Sequence, residues 1–261
     1  MTTILAIANQ KGGVGKTTTA INLGAGLGAL ERRVLLIDCD PQGNATRGLG
    51  ANAEVPHLYH ALTGEVPLPE TVHPSGFPNL DLIGAQRDLV GVEVEFVGEE
   101  GWEGRLKGIL KALSPHYDYI LLDCPPSLGH LTVNALAAAD GLVVPLQAEY
   151  FALEGIADLM ATVKRVQGGL NTRLVITGIL LTMYDDRTNL CKDVADEVRR
   201  VFGNQVFETV VPRNIRLAEA PSHGLPIFQY DIKSRGAEAY LALAQELLRR
   251  DRNGRLKEAT S

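Results

Sequence analysis

The stretch Asn9-Gln-Lys-Gly-Gly-Val-Gly-Lys-Thr-Thr-Thr19 follows an apolar run, Thr3–Ala8, and leads into a helix-length segment, Lys16–Leu30. Its glycines allow the backbone to turn sharply, so that successive N–H groups point into one concavity. The N-terminus of the following helix adds positive partial charge to that concavity. A strand, a glycine-rich turn and a helix in this order predict a phosphate-binding loop on an α/β fold.

Two side chains of this loop carry the expected chemistry. Lys16 is placed to reach the β- and γ-phosphates of a nucleotide, and the Thr17 hydroxyl is placed to bind a phosphate-bound Mg²⁺. The remaining residues present backbone N–H groups to the phosphates. The predicted nucleotide-binding residues of the loop are Lys11, Gly12, Gly13, Val14, Gly15, Lys16, Thr17 and Thr18.

Carboxylates follow two further predicted strands. Arg33–Asp38 runs into Asp40, and Tyr119–Asp123 ends in an acid followed by two prolines. Acids at the carboxyl edge of a doubly wound sheet lie where ligands bind. Asp123 is typical of a Walker B acid, which contacts Mg²⁺ through a coordinated water or through Thr17. Asp38 is either a supporting acid or a cap of the strand end.

Apolar runs of strand length alternate with amphipathic segments of helix length throughout the chain, which predicts a doubly wound α/β fold: a mostly parallel sheet with helices on both faces. We expect one P-loop domain over residues 1–250 and a polar, disordered tail over 251–261. The predicted strands are Thr3–Ala8, Arg33–Asp38, Asn79–Ile83, Tyr119–Asp123, Gly141–Gln147, Leu174–Thr182 and Gln205–Val211. The predicted helices are Lys16–Leu30, Trp102–Leu113, Leu131–Ala138, Leu153–Leu170, Leu190–Phe202 and Gly236–Arg250.

The composition limits the classes of function. The chain has 261 residues and a net charge of −6, which excludes a polycationic coat for nucleic acid and leaves room only for local DNA contacts. No apolar run approaches the roughly 18 residues of a membrane-spanning helix. The three cysteines are widely spaced and include no CxxC pair, so we expect free thiols in a reducing cytoplasm. The N-terminus lacks the basic segment of a signal peptide.

The loop departs from the common GxxxxGK[ST] pattern, because Gln10 stands where that pattern has glycine and Lys11 follows it. It resembles the deviant Walker A loop, KGGxxK[ST], of the ParA/MinD family of dimeric ATPases. The resemblance implies that ATP and Mg²⁺ are the cofactors and that Lys11 reaches the nucleotide of a second subunit in an ATP-dependent homodimer. It also implies that Gly12 lies where the two subunits approach closely. Asp40 would orient the attacking water and join Thr17 and Asp123 around the metal, so that Lys11, Lys16, Asp40 and Asp123 form the catalytic set.

Further segments extend the resemblance over nearly the whole chain and make it similar to the chromosomal Soj/ParA partition ATPases, in the form that lacks an N-terminal helix-turn-helix domain. These segments span residues 40–46, 123–129, 147–155, 181–185 and 211–224.

The resemblance assigns four more residues and two partners. Pro212 and Asn214 would border the adenine. Arg187 and Arg216 would bind nonspecific double-stranded DNA in the ATP-bound dimer, although either could be an ordinary solvated arginine. A ParB-type centromere-binding protein would stimulate hydrolysis and release the dimer. The protein would then be cytoplasmic and associated with the nucleoid.

Three other functions share parts of this pattern. A MinD-like positioning ATPase needs an amphipathic C-terminal membrane anchor, and residues 249–261 hold a single leucine. An iron–sulfur reductase needs two bridging cysteines per subunit, and the spacing of Cys39 and Cys124 does not fit such a set. A binding module without turnover would not need both Asp40 and Asp123. The sequence therefore favours the partition ATPase, without contact with a membrane.

Overall fold

A seven-stranded sheet forms the centre of the computed structural model, which describes residues 2–51, 56–149 and 152–259. The strands follow one another in the sheet in the order β3-β4-β2-β5-β1-β6-β7. All neighbours are parallel except β3 and β4, which confirms the predicted mostly parallel sheet. The strands are β1 Thr3–Ile7, β2 Val34–Asp38, β3 His73–Phe77, β4 Leu80–Ile83, β5 Tyr119–Asp123, β6 Gly141–Gln147 and β7 Val175–Thr182.

Helices connect these strands, and the six predicted helices are all present with shifted ends. The predicted segment Trp102–Leu113 begins with a 3₁₀ turn, and its α-helical part is shorter. The α-helices are α1 Lys16–Ala29, α2 Asn44–Gly48, α3 Leu58–Thr63, α4 Val92–Glu95, α5 Arg105–Leu110, α6 His130–Ala138, α7 Ala152–Gly169, α8 Asn189–Phe202, α9 Ile215–Glu219, α10 Ile227–Tyr230 and α11 Arg235–Ala259.

Both faces of the sheet are buried. On β2, Leu35 and Ile37 belong to the core beneath α6, α7 and α8, whereas Val34 and Leu36 belong to the core beneath α1 and α11. Successive strand side chains point to opposite faces, so a strand covered on both sides must be apolar throughout. The continuous apolar runs in the sequence are therefore explained by the burial of the strands on both faces.

The sheet brings the carboxyl ends of three strands together. Asp123 is in register with Ile7 of β1 on one side and with Asp38 of β2 on the other. The loops after β1, β2 and β5 therefore leave the same edge next to one another. In open α/β sheets this edge holds the ligand.

The predicted strand Gln205–Val211 is wrong. The segment forms no continuous ladder in the described part of the chain: it has isolated bridges, from Val206 to Ile179 and from Pro212 to Tyr184, and the N–H groups of Phe207 and Val211 donate to carbonyls of β7. The N–H groups of Glu208 and Thr209 donate to the buried carboxylate of Glu246, each over 2.9 Å, instead of to a strand. At these two residues a side chain from α11 thus interrupts the pairing with β7.

Other boundaries also differ from the predictions. The short edge strand β3 contains Pro74 and Gly76 and is largely exposed, so it carries no apolar signal. Helix α11 continues to Ala259, beyond the predicted end at Arg250. The single domain over 1–250 and the disorder of 251–261 remain predictions. Among the described residues, no helix combines the length and apolar character needed to cross a membrane.

Candidate nucleotide and magnesium site

Hydrogen bonds of Asn9 and the left-handed conformation of two glycines fix the shape of the loop between β1 and α1. The Asn9 side chain donates to the Pro145 carbonyl over 2.7 Å and accepts from the Lys11 N–H over 3.0 Å. Gly13 and Gly15 have φ of 73° and 88°, a left-handed conformation that side chains rarely adopt. The N-terminus of α1 begins after Gly15, which offers no side-chain cap. The first-turn N–H groups of α1 are therefore available to an anion.

Two of the predicted loop residues differ in exposure: Val14 is buried, and Gly12 is exposed. The Val14 side chain is fully buried, and its carbonyl accepts from the Thr182 hydroxyl over 2.8 Å, so only its backbone N–H can serve a phosphate. Gly12 is exposed, and no atom lies within 4 Å of the place where its Cβ would stand. Its own chain gives no reason for a glycine at that position.

Lys16 lies at the floor of the site. Its side chain is nearly buried, and its ammonium donates to the Lys11 carbonyl over 3.0 Å. Burial lowers the pKa of Lys16, while the nearby Asp123 and Asp40 oppose that shift. A buried cation with so few partners is suited to receive phosphate oxygens.

Lys11 points away from this floor. Its Nζ lies 2.6 Å from Oε2 of Glu149, in the segment after β6, and both side chains are partly exposed. The structure therefore does not bring the Lys11 ammonium to the other predicted catalytic residues of its own chain, although Lys16 contacts the Lys11 carbonyl. The resemblance at residues 147–155 includes Tyr150 and Phe151, which lie outside the described residues.

Both carboxylate oxygens of Asp38 accept hydrogen bonds from nearby residues of the same chain. One carboxylate oxygen accepts from the Asp40 N–H, and the other accepts from the N–H and hydroxyl of Thr46 over 2.8 Å and 2.7 Å. Burial raises the pKa of Asp38 to about 6 despite these bonds. Thr46 belongs to α2, and its hydroxyl also accepts from the Ala85 N–H. Asp38 therefore anchors α2 to the sheet, in keeping with a supporting role.

Asp123 is completely buried, and neither of its carboxylate oxygens has a hydrogen-bond partner in the described part of the chain. The Thr17 hydroxyl and the Lys16 ammonium lie close enough to favour its charged form and lower its pKa, but neither meets the geometry of a hydrogen bond. Burial and the neighbouring Asp38 raise the pKa of Asp123 well above its usual value. A buried carboxylate without partners is expensive unless a cation completes its surroundings. Asp123 together with Thr17 fits Mg²⁺, which prefers oxygen ligands.

Asp40 is the third acid of the site and lies at the wall of a cavity. One of its oxygens accepts from the Gln42 N–H over 2.9 Å, and its carbonyl accepts from the Gly43 N–H. This turn directs the Asp40 side chain towards the same space as Thr17 and Lys16.

A cavity of about 620 Å³ lies beside these groups, a size suited to a small-molecule cofactor. Of the predicted loop residues and acids, its lining includes Gly12, Gly13, Gly15, Lys16, Thr17, Thr18 and Asp40. Pro212 and Asn214, which the resemblance assigns to the adenine, also line this cavity. Asn214 caps α9 by accepting from the Arg216 N–H through its side-chain oxygen, which leaves the NH₂ group to donate to a ligand. The sequence did not single out the other lining residues, which are Ile21, Asn44, Pro126, Thr182, Met183, Val211, Arg213, Ile215, Leu217, Ala218, Pro221 and Tyr240.

The two arginines predicted to bind DNA are exposed and paired. Arg187 makes a two-pronged contact with Asp185, over 2.8 Å and 2.7 Å, and its side chain is 82% exposed. Arg216 pairs with Glu219 over 2.9 Å and with Asp231 over 3.4 Å. Solvent screens such pairs, so each is easily exchanged for a contact with phosphate.

A second cavity of about 770 Å³ places further cations beside Arg187. Arg213 and Arg235 line it, together with the acids Asp185, Asp186 and Glu238, whereas Arg216 does not. Both added arginines are exposed. Nothing in the local sequence marks them, because their neighbourhood depends on how α11 packs.

Comparison with known proteins identifies the family. The family described as AAA domain matches residues 2–176. The chain is 56% identical over 248 residues to the chromosome-partitioning ATPase Soj of Thermus thermophilus, covering 94% of this chain and 95% of that protein. It is 54% identical over 250 residues to the chromosome partitioning protein ParA of Myxococcus xanthus, covering 95% and 88%. The chain belongs to the ParA/Soj family.

A solved structure agrees with this ParA/Soj fold. Cobyrinic acid a,c-diamide synthase from Mycobacterium smegmatis, with bound ADP and magnesium, has a TM-score of 0.86 and 38% sequence identity, covering 97% of each chain. The family membership and the doubly wound P-loop fold inferred from the sequence are thereby confirmed. The identity to the ParA/Soj relatives is higher than to this synthase, which favours the partition branch.

Proposed function

We propose that this ParA/Soj chain is a Mg²⁺-dependent ATPase of chromosome partitioning whose ATP-bound dimer binds nonspecific double-stranded DNA. The observation that carries the proposal is the buried, unpartnered carboxylate of Asp123 facing Thr17 and Lys16 at the end of an anion-binding loop. An acid, a hydroxyl and a cation in this arrangement are the parts that a phosphate-bound Mg²⁺ requires.

Each side chain has a separate task in hydrolysis. The loop N–H groups and Lys16 bind the phosphates, and Thr17 and Asp123 hold the metal, directly or through water. Asp40, at the cavity wall, would orient the attacking water and help to hold the metal. Bound Mg²⁺ supplies charge neutralisation for the triphosphate. Pro212 and Asn214 border the adenine, and the amide NH₂ of Asn214 can donate to an adenine ring nitrogen.

Dimerisation uses the part of the loop that its own chain leaves open. Gly12 is exposed with empty space around it, as expected for a position that a second subunit approaches. Lys11 is exposed enough to leave Glu149 and reach the nucleotide of that subunit. Because two triphosphates facing each other across a two-fold axis repel, a cation from each side stabilises the pair.

DNA binding depends on a few exposed arginines on an acidic protein. Arg187 and Arg216 exchange their exposed carboxylate partners for phosphates, and dimerisation doubles the number of contacts. A ParB-type partner stimulates hydrolysis and releases the dimer, and the protein is cytoplasmic and associated with the nucleoid. The partition names of the relatives support these assignments.

Retention on duplex DNA and on anionic vesicles, each with ATP and with ADP, tests this proposal. We expect retention on duplex DNA with Mg-ATP only, falling steeply as salt increases. Sedimentation with vesicles in the presence of ATP, without DNA retention, would instead support the MinD-like positioning ATPase. Equal retention on DNA with ATP and ADP would contradict a nucleotide switch.

A further inference from the structure

Two histidines and an aspartate lie close together outside the nucleotide cavity. His57 directly precedes α3, His60 lies in the first turn of that helix, and Asp88 lies in the 3₁₀ turn Arg87–Gly91 after β4. One ring nitrogen of each histidine and one carboxylate oxygen of Asp88 all lie within 4.8 Å of one another. None of the three residues lines the nucleotide cavity. These residues, called here the histidine cluster, therefore stand apart from the site described above.

His57 is buried and has a ring nitrogen without a partner. Its side chain is only 2% exposed, and its Nε2 lies 3.2 Å from Oδ2 of Asp88. The side chain faces the N–H of His60 as in a capping box, but Nδ1 has no hydrogen-bond partner within the described residues. Burial lowers the pKa of His57. The ring is therefore neutral at pH 7, and a neutral imidazole is the form that binds a metal ion.

The second imidazole distinguishes the histidine cluster from an ordinary pair of a histidine and a carboxylate. The rings of His57 and His60 lie 4.4 Å apart between centroids, with 75° between their planes. His60 also lowers the pKa of His57, because two protonated rings at this distance repel each other. Two neutral rings, in contrast, can each donate a lone pair to the same cation. The arrangement therefore favours one shared metal ion over two bound protons.

The distances in the cluster suit a small transition-metal ion. Zn²⁺ binds histidine nitrogen and carboxylate oxygen at about 2.0–2.2 Å, which places tetrahedral ligand atoms about 3.3 Å from one another. The 3.2 Å between His57 Nε2 and Asp88 Oδ2 matches this spacing. Asp88 is exposed and His60 is half-buried, so both side chains can adjust and water can occupy a fourth position. Mg²⁺, which prefers oxygen ligands in an octahedron, does not suit two imidazoles.

The main chain already holds the two segments that carry the ligands. The Leu58 N–H donates to the Gly84 carbonyl over 3.0 Å, which joins the start of α3 to the end of β4. The Ala85 N–H donates to the Thr46 hydroxyl over 2.9 Å, which ties the same turn to α2. Because these segments are fixed in advance, an ion that joins the histidine cluster costs little further conformational entropy.

The charges around the histidine cluster permit a cation. Glu65 favours positive charge at His57. Arg87, next to Asp88 in sequence, is exposed and can turn into solvent. We propose that the histidine cluster binds one Zn²⁺ ion, which fastens the start of α3 to the turn after β4. This structural site goes beyond the ATPase function proposed above and does not depend on it.

Equilibrium dialysis of the full chain against micromolar Zn²⁺, without nucleotide and followed by metal analysis, tests this site. All samples carry Asp123→Asn, which removes the buried acid of the nucleotide site as a competing ligand. We expect one Zn²⁺ per chain that excess Mg²⁺ does not displace, and a melting temperature several degrees higher with Zn²⁺ than without it. His60→Ala and Asp88→Asn should each bind Zn²⁺ at least tenfold more weakly.

Two controls separate the cluster from adventitious binding and from loss of folding. His73→Ala changes an exposed histidine outside the cluster and should leave Zn²⁺ affinity within about twofold. Without zinc, Asp88→Asn should melt within about 2 °C of the chain that keeps Asp88, because the substituted residue is exposed.

Two results would overturn the zinc site. One is the absence of bound Zn²⁺ from the chain with an intact cluster. The other is equal Zn²⁺ affinity in His60→Ala, Asp88→Asn and His73→Ala. Failure of the unaltered chain to retain DNA with Mg-ATP would refute the proposed function alone, since zinc binding is measured without nucleotide.

Discussion

The ammonium of Lys11 lies 2.6 Å from Oε2 of Glu149, although the two residues are 138 positions apart. The loop after β6 thus holds the cation that the family resemblance assigns to a neighbouring subunit. To reach that subunit's nucleotide, Lys11 must leave Glu149. If Lys11 has the proposed role in the dimer, this ion pair opposes dimerisation and stabilises the single chain.

Neutralising Glu149 should favour the dimer. Because a partly exposed ion pair contributes about 0–1 kcal/mol, Glu149→Gln should tighten ATP-dependent dimerisation by about two- to fivefold per pair. Lys11→Ala should bind ATP and fail to dimerise. Sedimentation velocity over a concentration series gives the dimer constant. Glu208→Gln is the matched control, because Glu208 is exposed and has no ion pair within the described residues; weaker dimerisation of Glu149→Gln would contradict the opposing role.

Variants of Asp123 and Asp40 should differ in effect: the first should lose metal binding, and the second should lose hydrolysis. Asp123→Asn replaces an unpartnered buried carboxyl group with a neutral amide, so without nucleotide it should unfold at the same or a higher temperature. With Mg-ATP it should lose the ligand-induced rise in melting temperature. Asp40→Ala should keep that rise and lose hydrolysis by about a hundredfold or more. Thermal melts measure the rise in melting temperature, and phosphate-release assays measure hydrolysis. If Mg-ATP raises the melting temperature of Asp123→Asn as much as that of the unaltered chain, Asp123 is not part of the metal site.

Glu246 should be worth more to stability than other acids of its helix. Burial alone would raise the pKa of Glu246, but the N–H groups of Thr209 and Glu208 hold that pKa below its usual 4.5. Glu246→Gln should lower the free energy of unfolding by about 2–3 kcal/mol. Glu238→Gln, also on α11 and exposed, should change it by less than about 0.5 kcal/mol.

The pH dependence of this stabilisation follows from the same pKa. A carboxylate with a depressed folded pKa stabilises the protein above its unfolded pKa, and the contribution is lost as pH falls below 4.5 towards the folded pKa. Urea titrations between pH 7 and pH 3.5 should show the stability difference between Glu246→Gln and the unaltered chain shrinking with acid. A difference that stays constant would exclude an ionised Glu246 as its source.

The arginine surface should bind DNA through phosphates. Arg187→Glu and Arg216→Glu should each spare the ATP-dependent dimer and reduce DNA retention. Arg235→Glu should behave in the same way if the second cavity belongs to the surface. Lys164→Glu on the opposite helix layer is the control. Filter binding from low to high salt should show smaller slopes for the arginine variants, since fewer counterions are released; undiminished retention would place the DNA site elsewhere.

The local sequence was sufficient to predict those features of the structure that depend on residues close together in the chain. The glycine loop, the continuous strands and the acids at their ends follow from adjacent residues. It failed where a distant side chain decides: Glu246 of α11 takes the backbone N–H groups that would have made Gln205–Val211 a strand. The contact of Lys11 with Glu149 and the position of Arg235 have the same origin. Both depend on packing between elements far apart in sequence.

The central claim is that two chains close around two nucleotides. Light scattering after size exclusion of the Asp40→Ala variant, with Mg-ATP, Mg-ADP or no nucleotide, measures this most directly. We predict twice the monomer mass with Mg-ATP alone, and retention of duplex DNA by that species at low salt. A variant that binds ATP fully, remains a monomer and does not retain DNA would contradict the account.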